Sequence, residues 1–316
     1  MSVQLDMIVT VYEPLAGDVW IIDLERHDGA ALPEFEAGAH VDLFIGPEMV
    51  RPYSLCNSPA ERHRYQFGIL KDPISRGGSD LICTQWGVGM PVRASFPRNL
   101  FPLKEDAAHS ILIGGGIGIT PLIAMAHRLA ALGRSFELHY CVRDQGKAAF
   151  QTKIADSIFA ANARVHFSAE RRFCLADDVG HPLDNQTHLY VCGPTGFMEQ
   201  VIDDAYASGW GESQVHSEQF TAETDLTGAP FTVQLADGKS FEVPGGRSIA
   251  SCLIDAGYDI EISCEQGICG TCIADVLEGL PDHRDHYLTE DERNSNQLIT
   301  MCCSRSLSKT LILDFQ

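Results

Sequence analysis

Cys264-Glu265-Gln266-Gly267-Ile268-Cys269-Gly270-Thr271-Cys272, followed after twenty-nine intervening residues by Cys302, reads as Cys-x4-Cys-x2-Cys-x29-Cys. This is the spacing of a plant-type [2Fe–2S] ligand set. Three thiolates must converge from one short loop on two irons, and the backbone must wrap closely enough to aim N–H groups at the sulfurs. Gly267 and Gly270 supply the positive-φ freedom such a loop needs. A four-cysteine zinc site is the plainer alternative, but structural zinc usually draws its thiolates from two similar short pairs. Here one tight group is matched by one distant cysteine, which favours iron–sulfur.

Outward from that loop, FTVQLADGKSFEVPGG before it reads as a hairpin turning at Asp237-Gly238. SIASCLIDAG reads as a short helix delivering the chain to the cysteines, and the apolar run Leu311 to Phe315 can close a small mixed sheet. Ser217 to Pro230, rich in small and polar residues, reads as an inter-domain linker. From about 103 to 222, apolar strands alternate with helical stretches: SILIGGG, PLIAMAHRLAALG, FELHYCV, KAAFQTKIADSIFA, RVHFS, LYVCGP and TGFMEQVIDDAYASG. That alternation predicts a parallel sheet with crossover helices.

The strand Ile111–Ile113 runs into Gly114-Gly115-Gly116-Ile117-Gly118-Ile119-Thr120-Pro121. Glycines at the carboxyl end of a first strand let a pyrophosphate approach backbone N–H groups at a helix start. Thr120 is expected to N-cap the helix, Pro121 to take its first position and Gly133 its C′ end. Position 121 is Pro where a strict Gly-x-Gly-x-x-Gly would want glycine, so this is not the two-half Rossmann fingerprint. Arg143-Asp144 stands where a nucleotide-binding sheet selects its ribose. A carboxylate there accepts from the 2′-hydroxyl of NADH and repels a 2′-phosphate, so NADH is favoured, while an inward Arg143 would do the opposite. Cys192-Gly193-Pro194 ends another apolar strand in a tight turn, either touching a planar ligand or simply burying an inert thiol.

From about residue 5 to 102, short alternating runs broken by turn residues predict an antiparallel barrel. Within it stand Arg51-Pro52-Tyr53-Ser54-Leu55, Lys71, and Ser75-Arg76-Gly77-Gly78-Ser79. Arg51 and Lys71 are cations able to clamp a phosphate, and Gly77, Gly78 and Ser79 would add N–H donors if they open the helix read in SDLICTQW. Tyr53 offers a flat ring to a flavin and Ser54 a small donor. Read alone, an Arg-x-Tyr-Ser strand and a Gly-Gly-Ser turn carry little.

The chain has 316 residues, 45% hydrophobic, with eleven cysteines and a formal charge of −20. Such a length accommodates two or three domains. Cysteines in apolar strand-like runs, such as Cys141 and Cys192, suit reduced thiols better than a disulfide framework. The start lacks a basic segment and a long apolar core, so a soluble cytoplasmic protein is expected. The charge argues against nucleic acid or an anionic membrane as partner. From Glu223 to the end there are sixteen Asp/Glu against six Lys/Arg. An acidic shell around a one-electron centre steers toward a basic partner, or merely serves solubility.

Taken in order, RPYSLCN (51–57), RGGS (76–79), PRNLFPL (97–103), GGGIGITP (114–121), HYCVRD (139–144), YVCGP (190–194), CEQGICGTC (264–272) and MCCSRS (301–306) resemble the phthalate-dioxygenase-reductase-type family, which includes vanillate O-demethylase-like reductase components. The resemblance covers essentially the whole chain. It implies a flavin-binding β-barrel over 1–102, a ferredoxin reductase-like α/β NADH domain over 103–222 and a C-terminal β-grasp α+β ferredoxin domain over 223–316. It also implies FMN rather than FAD, and selects Cys302 over Cys303 as fourth ligand because the family's cysteine precedes one residue and then Ser-Arg.

The expected activity is an NADH-dependent oxidoreductase passing electrons through FMN and the cluster to a separate Rieske-type terminal oxygenase or demethylase. Arg51, Lys71 and Ser79 would hold the FMN phosphate, Tyr53 and Ser54 the ring, and Gly114 to Thr120 with Cys192 to Pro194 the dinucleotide. Stacking near Thr120 and Cys192, rather than an acid/base side chain, is what hydride transfer needs. Phe220 is either a flavin-side aromatic or packing for the linker. A redox sensor or carrier read out by a binding partner is the competing class.

Overall fold

Alternation of period two builds the N-terminal strands, because successive side chains of an extended chain face opposite sides. In the computed structural model, which describes residues 4–46, 49–73, 76–182 and 184–315, β1 (Gln4–Pro14) buries Leu5, Met7 and Val9 while its alternate residues face outward. With β2 (Val19–Arg26), β3 (His40–Phe44), β4 (Val50–Ser54), β5 (Tyr65–Leu70) and β6 (Pro91–Ser95) it forms an antiparallel sheet ordered β4-β3-β6-β1-β2-β5. The two outer strands come together where the Cys56 N–H donates to the Gln66 carbonyl at 2.9 Å. A single apolar core including Ile22, Leu43, Phe67 and Ile82 fills the interior. Between β5 and β6, α1 (Gly78–Gln85) starts at Gly77, whose φ of 95° only glycine adopts without strain.

The alternation of strands and helices gives β7 (His109–Gly115), α2 (Ile119–Ala131), β8 (Ser135–Val142), α3 (Gln151–Ala155), β9 (Ala163–Phe167), α4 (Leu175–Asp178), β10 (Thr187–Cys192), α5 (Thr195–Ala207) and β11 (Val215–Glu218). The five strands are parallel and ordered β11-β10-β7-β8-β9. Strand order reverses between β7 and β10, so the loops after these two strands flank the crevice where such sheets take ligands.

Four local expectations change. Thr120 lies inside the first turn of α2, its hydroxyl donating to the Ile117 carbonyl at 3.0 Å, and Pro121 is the third helical residue rather than the first, because a 3-10 turn over Gly116–Gly118 already leads the chain in. KAAFQTKIADSIFA forms only the short α3 with 3-10 turns on either side. Ser217 and Glu218 belong to edge strand β11 rather than to a linker, since β10 supplies a parallel partner that the local sequence does not announce. The Asp237-Gly238 hairpin is a longer loop: the Leu235 N–H donates to the Lys239 carbonyl at 2.8 Å around Ala236, Asp237 and Gly238, the last at φ 85°.

The chain divides into two compact units, Met1–Gln219 and Phe220–Gln316. In the second, β12 (Phe231–Leu235), β13 (Ser240–Val243), α6 (Ile249–Asp255), β14 (Ile273–Glu278), β15 (Pro281–Asp282), α7 (Glu290–Ser295), β16 (Leu298–Thr300), β17 (Arg305–Ser306) and β18 (Thr310–Asp314) make a mixed sheet ordered β13-β12-β18-β14-β16 and a small ribbon of β15 and β17. Ser248 caps α6 by accepting from the Ser251 N–H at 3.1 Å. Residues 222–228 are strapped to this unit: Gln266 donates to the Ala222 carbonyl at 2.8 Å, and Arg284 to those of Asp225 and Thr227 at 2.6 and 2.8 Å. Among the described residues, no helix is long and apolar enough to cross a membrane.

Within the first unit, Gly68 in β5 marks where barrel and parallel sheet press together. A Cβ there would stand 2.3 Å from Phe150 Cζ and 2.9 Å from Thr120 Cγ2. Phe150 and Thr120 are both buried and have little room to retreat. Gly68→Ala is therefore expected to destabilise this unit by about 1–3 kcal/mol through overpacking. It should also slow the NADH-driven dye reduction that the family resemblance implies, because Thr120 sits beside the crevice. Denaturant unfolding and steady-state rates check this; an Ala variant matching wild type in both would show that Phe150 yields freely.

Candidate functional site

Four of the expected ligands converge in the second unit. Cys264, Cys269, Cys272 and Cys302 are all buried, at 2, 7, 4 and 5% exposure. They lie near enough to shift one another's titration, Cys264 with Cys269 and Cys302, and Cys302 with Cys272. The Gln266 and Ile268 N–H groups both point at Cys264 Sγ, at 3.4 Å each. Hydrogen bonds from Cys269 and Cys302, then from these two amides, hold the Cys264 thiol far below its ordinary pKa. Four buried, mutually coupled sulfurs with amides aimed at Cys264 fit a group that takes two thiolates on each of two irons.

The loop takes this shape because its glycines have no side chains. Gly267 and Gly270 both sit at φ 71°. A Cβ on Gly267 would lie 2.4 Å from Cys303 Sγ, and one on Gly270 2.3 Å from Tyr287 Cζ. The His286 N–H ties the loop down through the Gly267 carbonyl at 2.9 Å. Tyr287, whose ring covers Gly270, had no motif to announce it.

In the first unit the phosphate candidates also gather. Lys71 Nζ lies 3.2 Å from Asp80 Oδ1 in the first turn of α1. A Cβ on Gly78 would meet Arg51 Cγ at 2.9 Å, so the bare glycine lets Arg51 cross the helix start. Ser79 Oγ accepts from the Asp72 N–H at 3.3 Å, and Gly77 and Gly78 present their amides at the same end. Two cations beside a helix N-terminus fit a phosphate monoester. Ser75 lies outside the described residues. Tyr53 and Ser54 end β4, and burial pushes the Tyr53 phenol pKa well above its ordinary value.

The nucleotide candidates meet at the crevice between β7 and β10. A Cβ on Gly118 would stand 2.4 Å from the carbonyl carbon of Cys192 and 2.5 Å from Gly193 N, and one on Gly115 would strike Phe197 and Pro194. The glycine loop and the Cys192–Pro194 turn therefore touch backbone to backbone. Gly116, at φ 56°, and Pro121 continue the loop into α2. Arg143 is exposed and Asp144 half-buried just beyond the carboxyl end of β8. Phe220 opens the second unit and is half-buried.

One residue at this crevice was missed as a functional group. Glu218, opposite Cys192 across the β10–β11 pairing, accepts a hydrogen bond from the Ser54 hydroxyl at 3.3 Å, joining the parallel sheet to the barrel. Burial raises its carboxyl to about 8, and burial together with Glu218 pushes the Cys192 thiol well above its ordinary pKa. A half-buried carboxylate at the end of an edge strand carries no local signal in the sequence, which says nothing of its partner 164 residues away.

The folded pKa of Glu218 lies above the unfolded value, so the folded state holds the proton longer. Stability is therefore expected to fall as pH rises from about 4.5 toward 8, by a few kcal/mol in order of magnitude. Glu218→Gln should remove that slope and gain on wild type as pH rises to 9. Melting curves at pH 5, 7 and 9 check it; parallel profiles would place the carboxyl in water.

The 2Fe-2S iron-sulfur cluster binding domain family matches residues 233–307. The chain is 46% identical to vanillate O-demethylase oxidoreductase of Pseudomonas putida, over 98% of this chain and all of the relative. It is 38% identical to phthalate dioxygenase reductase of Burkholderia cepacia, over 96% and 94%. Among solved structures it is similar to phthalate dioxygenase reductase, described as a modular structure for electron transfer from pyridine nucleotides to [2Fe–2S], with a TM-score of 0.78 and 37% identity over 99% of this chain and 98% of that one. On full-length similarity of this kind, with a cysteine loop matching the iron–sulfur domain, the chain belongs to the family of phthalate dioxygenase reductase and vanillate O-demethylase oxidoreductase.

Proposed function

We propose that this protein is the NADH-dependent reductase component of a two-part oxygenase system. It takes two electrons from NADH at the first unit and delivers them singly from the second to a separate Rieske-type oxygenase or demethylase. The observation that carries this is one chain holding both a glycine-loop crevice joined to a barrel through Ser54–Glu218 and four converging buried cysteines. Bound FMN and a [2Fe–2S] cluster supply the conversion of a two-electron donor into one-electron steps. We read residues 1–102 as the FMN module, 103–222 as the NADH module and 223–316 as the cluster module.

Arg51, Lys71 and the amides of Gly77, Gly78 and Ser79 bind the FMN phosphate. Tyr53 and Ser54 orient its ring at the end of β4. Gly115, Gly116, Gly118, Thr120 and Pro121 bring backbone close to the NADH pyrophosphate, and Cys192, Gly193 and Pro194 form the turn against which the nicotinamide is placed. Asp144 takes the ribose hydroxyls and repels a 2′-phosphate, which selects NADH. Partial burial holds the Glu218 carboxyl above its ordinary pKa, which favours the neutral form in the crevice, and its hydrogen bond with Ser54 positions that hydroxyl.

An absorbance spectrum with analysis of the released flavin tests the cofactors: FMN with a [2Fe–2S] envelope is expected, and FAD would overturn the flavin assignment. Rapid NADH-driven reduction of cytochrome c tests the activity. Flavin-replete protein without turnover would instead indicate a carrier or sensor.

The acidic second unit is the face offered to the partner. Asp275 is exposed at the start of β14, three residues past Cys272, and Glu265 is half-buried in the ligand loop itself. Asp275→Lys is expected to slow reduction of a basic acceptor by roughly tenfold at low salt, with the difference shrinking as salt screens the charges. NADH-to-flavin reduction should stay unchanged. If both steps slow together, or if the loss persists at high salt, the carboxylate is structural.

A further inference from the structure

The barrel and the parallel sheet also meet at two short turns that carry no motif. Ala16–Asp18 joins β1 to β2, and Gln145–Lys147 follows Arg143-Asp144 beyond the end of β8. Gly17 and Asp18 are consecutive residues in the left-handed region, at φ 69° and 61°. Glycine takes that backbone freely and aspartate tolerates it, so the pair suits a tight turn. A Cβ on Gly17 would stand 3.0 Å from Lys147 Cδ, 3.1 Å from Lys147 Cα and 3.5 Å from the Gly146 carbonyl oxygen. Lys147 Nζ reaches back to Asp18 Oδ2 at 3.4 Å. The second turn therefore rests on the first, against a bare glycine.

The two turns are not equally firm. The Leu15 N–H donates to the Val19 carbonyl at 2.7 Å, and the Lys71 N–H, just past β5, donates to the Asp18 carbonyl at 2.8 Å, so strand ends pin the barrel turn on both sides. Gln145, Gly146 and Lys147 are exposed, and short-range bonds shape their loop: the Lys147 N–H to the Asp144 carbonyl at 3.0 Å and the Ala148 N–H to that of Gln145 at 3.2 Å. A side chain added at Gly17 would therefore push the loop rather than the barrel. Asp144 moves with that loop, since its Oδ1 stands 3.1 Å from where a Cβ on Gly146 would lie.

We propose that Gly17 is a positioning residue for the pyridine nucleotide: its missing side chain lets the barrel turn seat the loop Gln145–Lys147 and so holds the Asp144 carboxylate at the adenosine ribose. This deepens the proposed function and rests on its reading of Asp144 as the ribose acceptor. The seat belongs to the flavin barrel, so selection of NADH over NADPH depends on a residue outside the nucleotide sheet. A carboxylate moved off its mark loses the ribose hydrogen bonds and repels a 2′-phosphate less.

Calorimetric titration of the full-length, flavin-replete protein with NAD+ tests this without turnover, since NAD+ carries the same ribose and has no hydride to give. Gly17→Ala should raise the Kd of NAD+ by roughly threefold to tenfold. Gly29→Ala is the matched control and should bind as wild type: Gly29 lies in the same barrel at the same φ of 69°, with nothing within 4 Å of an added carbon. In NADH-driven ferricyanide reduction, Gly17→Ala should raise KM by the same factor, leave kcat within about twofold and lower the preference for NADH over NADPH. Lys147→Ala removes the stem on which the turn rests and should raise the Kd of NAD+ by about twofold or more.

Unchanged NAD+ affinity in Gly17→Ala, an equal loss in Gly29→Ala, or a fall in kcat together with loss of flavin overturns the proposal. Where Gly17→Ala does not fold, Lys147→Ala decides, and an unchanged Kd there overturns it. Asp144→Asn separates the underlying reading. If that variant keeps the NADH preference, Asp144 is not the ribose acceptor and the proposal falls with it; if it loses the preference while Gly17→Ala binds as wild type, only the seat is wrong.

Discussion

Gly270→Ala is expected to strip the second unit of most of its iron–sulfur cluster. The backbone at Gly270 has φ 71°, in the left-handed region, where a side chain costs about 1–2 kcal/mol. Its new Cβ would stand 2.3, 2.5 and 2.7 Å from Cζ, Cε2 and Cε1 of Tyr287. Relieving that overlap costs a further 1–3 kcal/mol or so. Because Gly270 lies between the proposed ligands Cys269 and Cys272, the distortion falls on the thiols themselves. Gly257→Ala is the matched control: it also has positive φ, at 90°, but nothing lies within 4 Å of the added carbon. Visible absorbance and iron content should separate the two, with Gly257→Ala near wild type. The double variant Gly270→Ala/Tyr287→Ala should regain part of the cluster, since neighbours sharing a clash are not additive. Equal loading of both single variants would mean that the ring moves aside at little cost.

Arg305→Met is expected to unfold the second unit under conditions in which the first survives. Arg305 is 2% exposed and makes no ion pair among the described residues. Its guanidinium instead donates to the carbonyls of Arg247 at 2.9 Å, Ala229 at 3.0 Å and Pro244 at 3.3 Å, and lies 5.1 Å from the centre of the Phe231 ring. It thereby ties the ends of β12 and β13 and the entry to α6 to the segment just past Cys302. Methionine fills the volume but leaves these acceptors unpaired, at about 1–3 kcal/mol each before relaxation. Lysine keeps the charge yet cannot fork to three carbonyls, so Arg305→Lys should fail nearly as badly. Denaturant unfolding followed at the cluster and at the flavin checks this. A simultaneous loss of both signals, or a shift of the cluster transition below 1 kcal/mol, would contradict it.

The proposed ligand loop shows which geometry a sequence can carry by itself. Cys264, Cys269 and Cys272 lie within nine residues, so their mutual geometry is almost wholly local, and the glycines between them point to the backbone the loop requires. The same holds for the glycine loop after β7 and for the change from period-two runs to alternating strands and helices near residue 103. Local patterns failed where pairing overrode them. VHSE has no strong strand signature and becomes a strand only because β10 stands beside it. Thr120 looked like a cap because capping residues precede helices, but the 3-10 turn over Gly116–Gly118 brings the helix start ahead of it, to Ile119.

What the chain determines by itself, then, is the order of its modules, the family it resembles, and the ligands that short spacing or a shared motif brings together. The tertiary structure alone decides that Ser54 meets Glu218 across the crevice, that Gly68 faces Phe150, that Tyr287 covers Gly270, and that Arg305 finds three carbonyls in place of a carboxylate. Each of these pairs a common residue with a distant backbone or ring, and no periodicity in the sequence encodes such a meeting. Its consequences, an acid whose pKa is raised and glycines that tolerate no methyl, come from close packing and low dielectric, which exist only once the chain has folded.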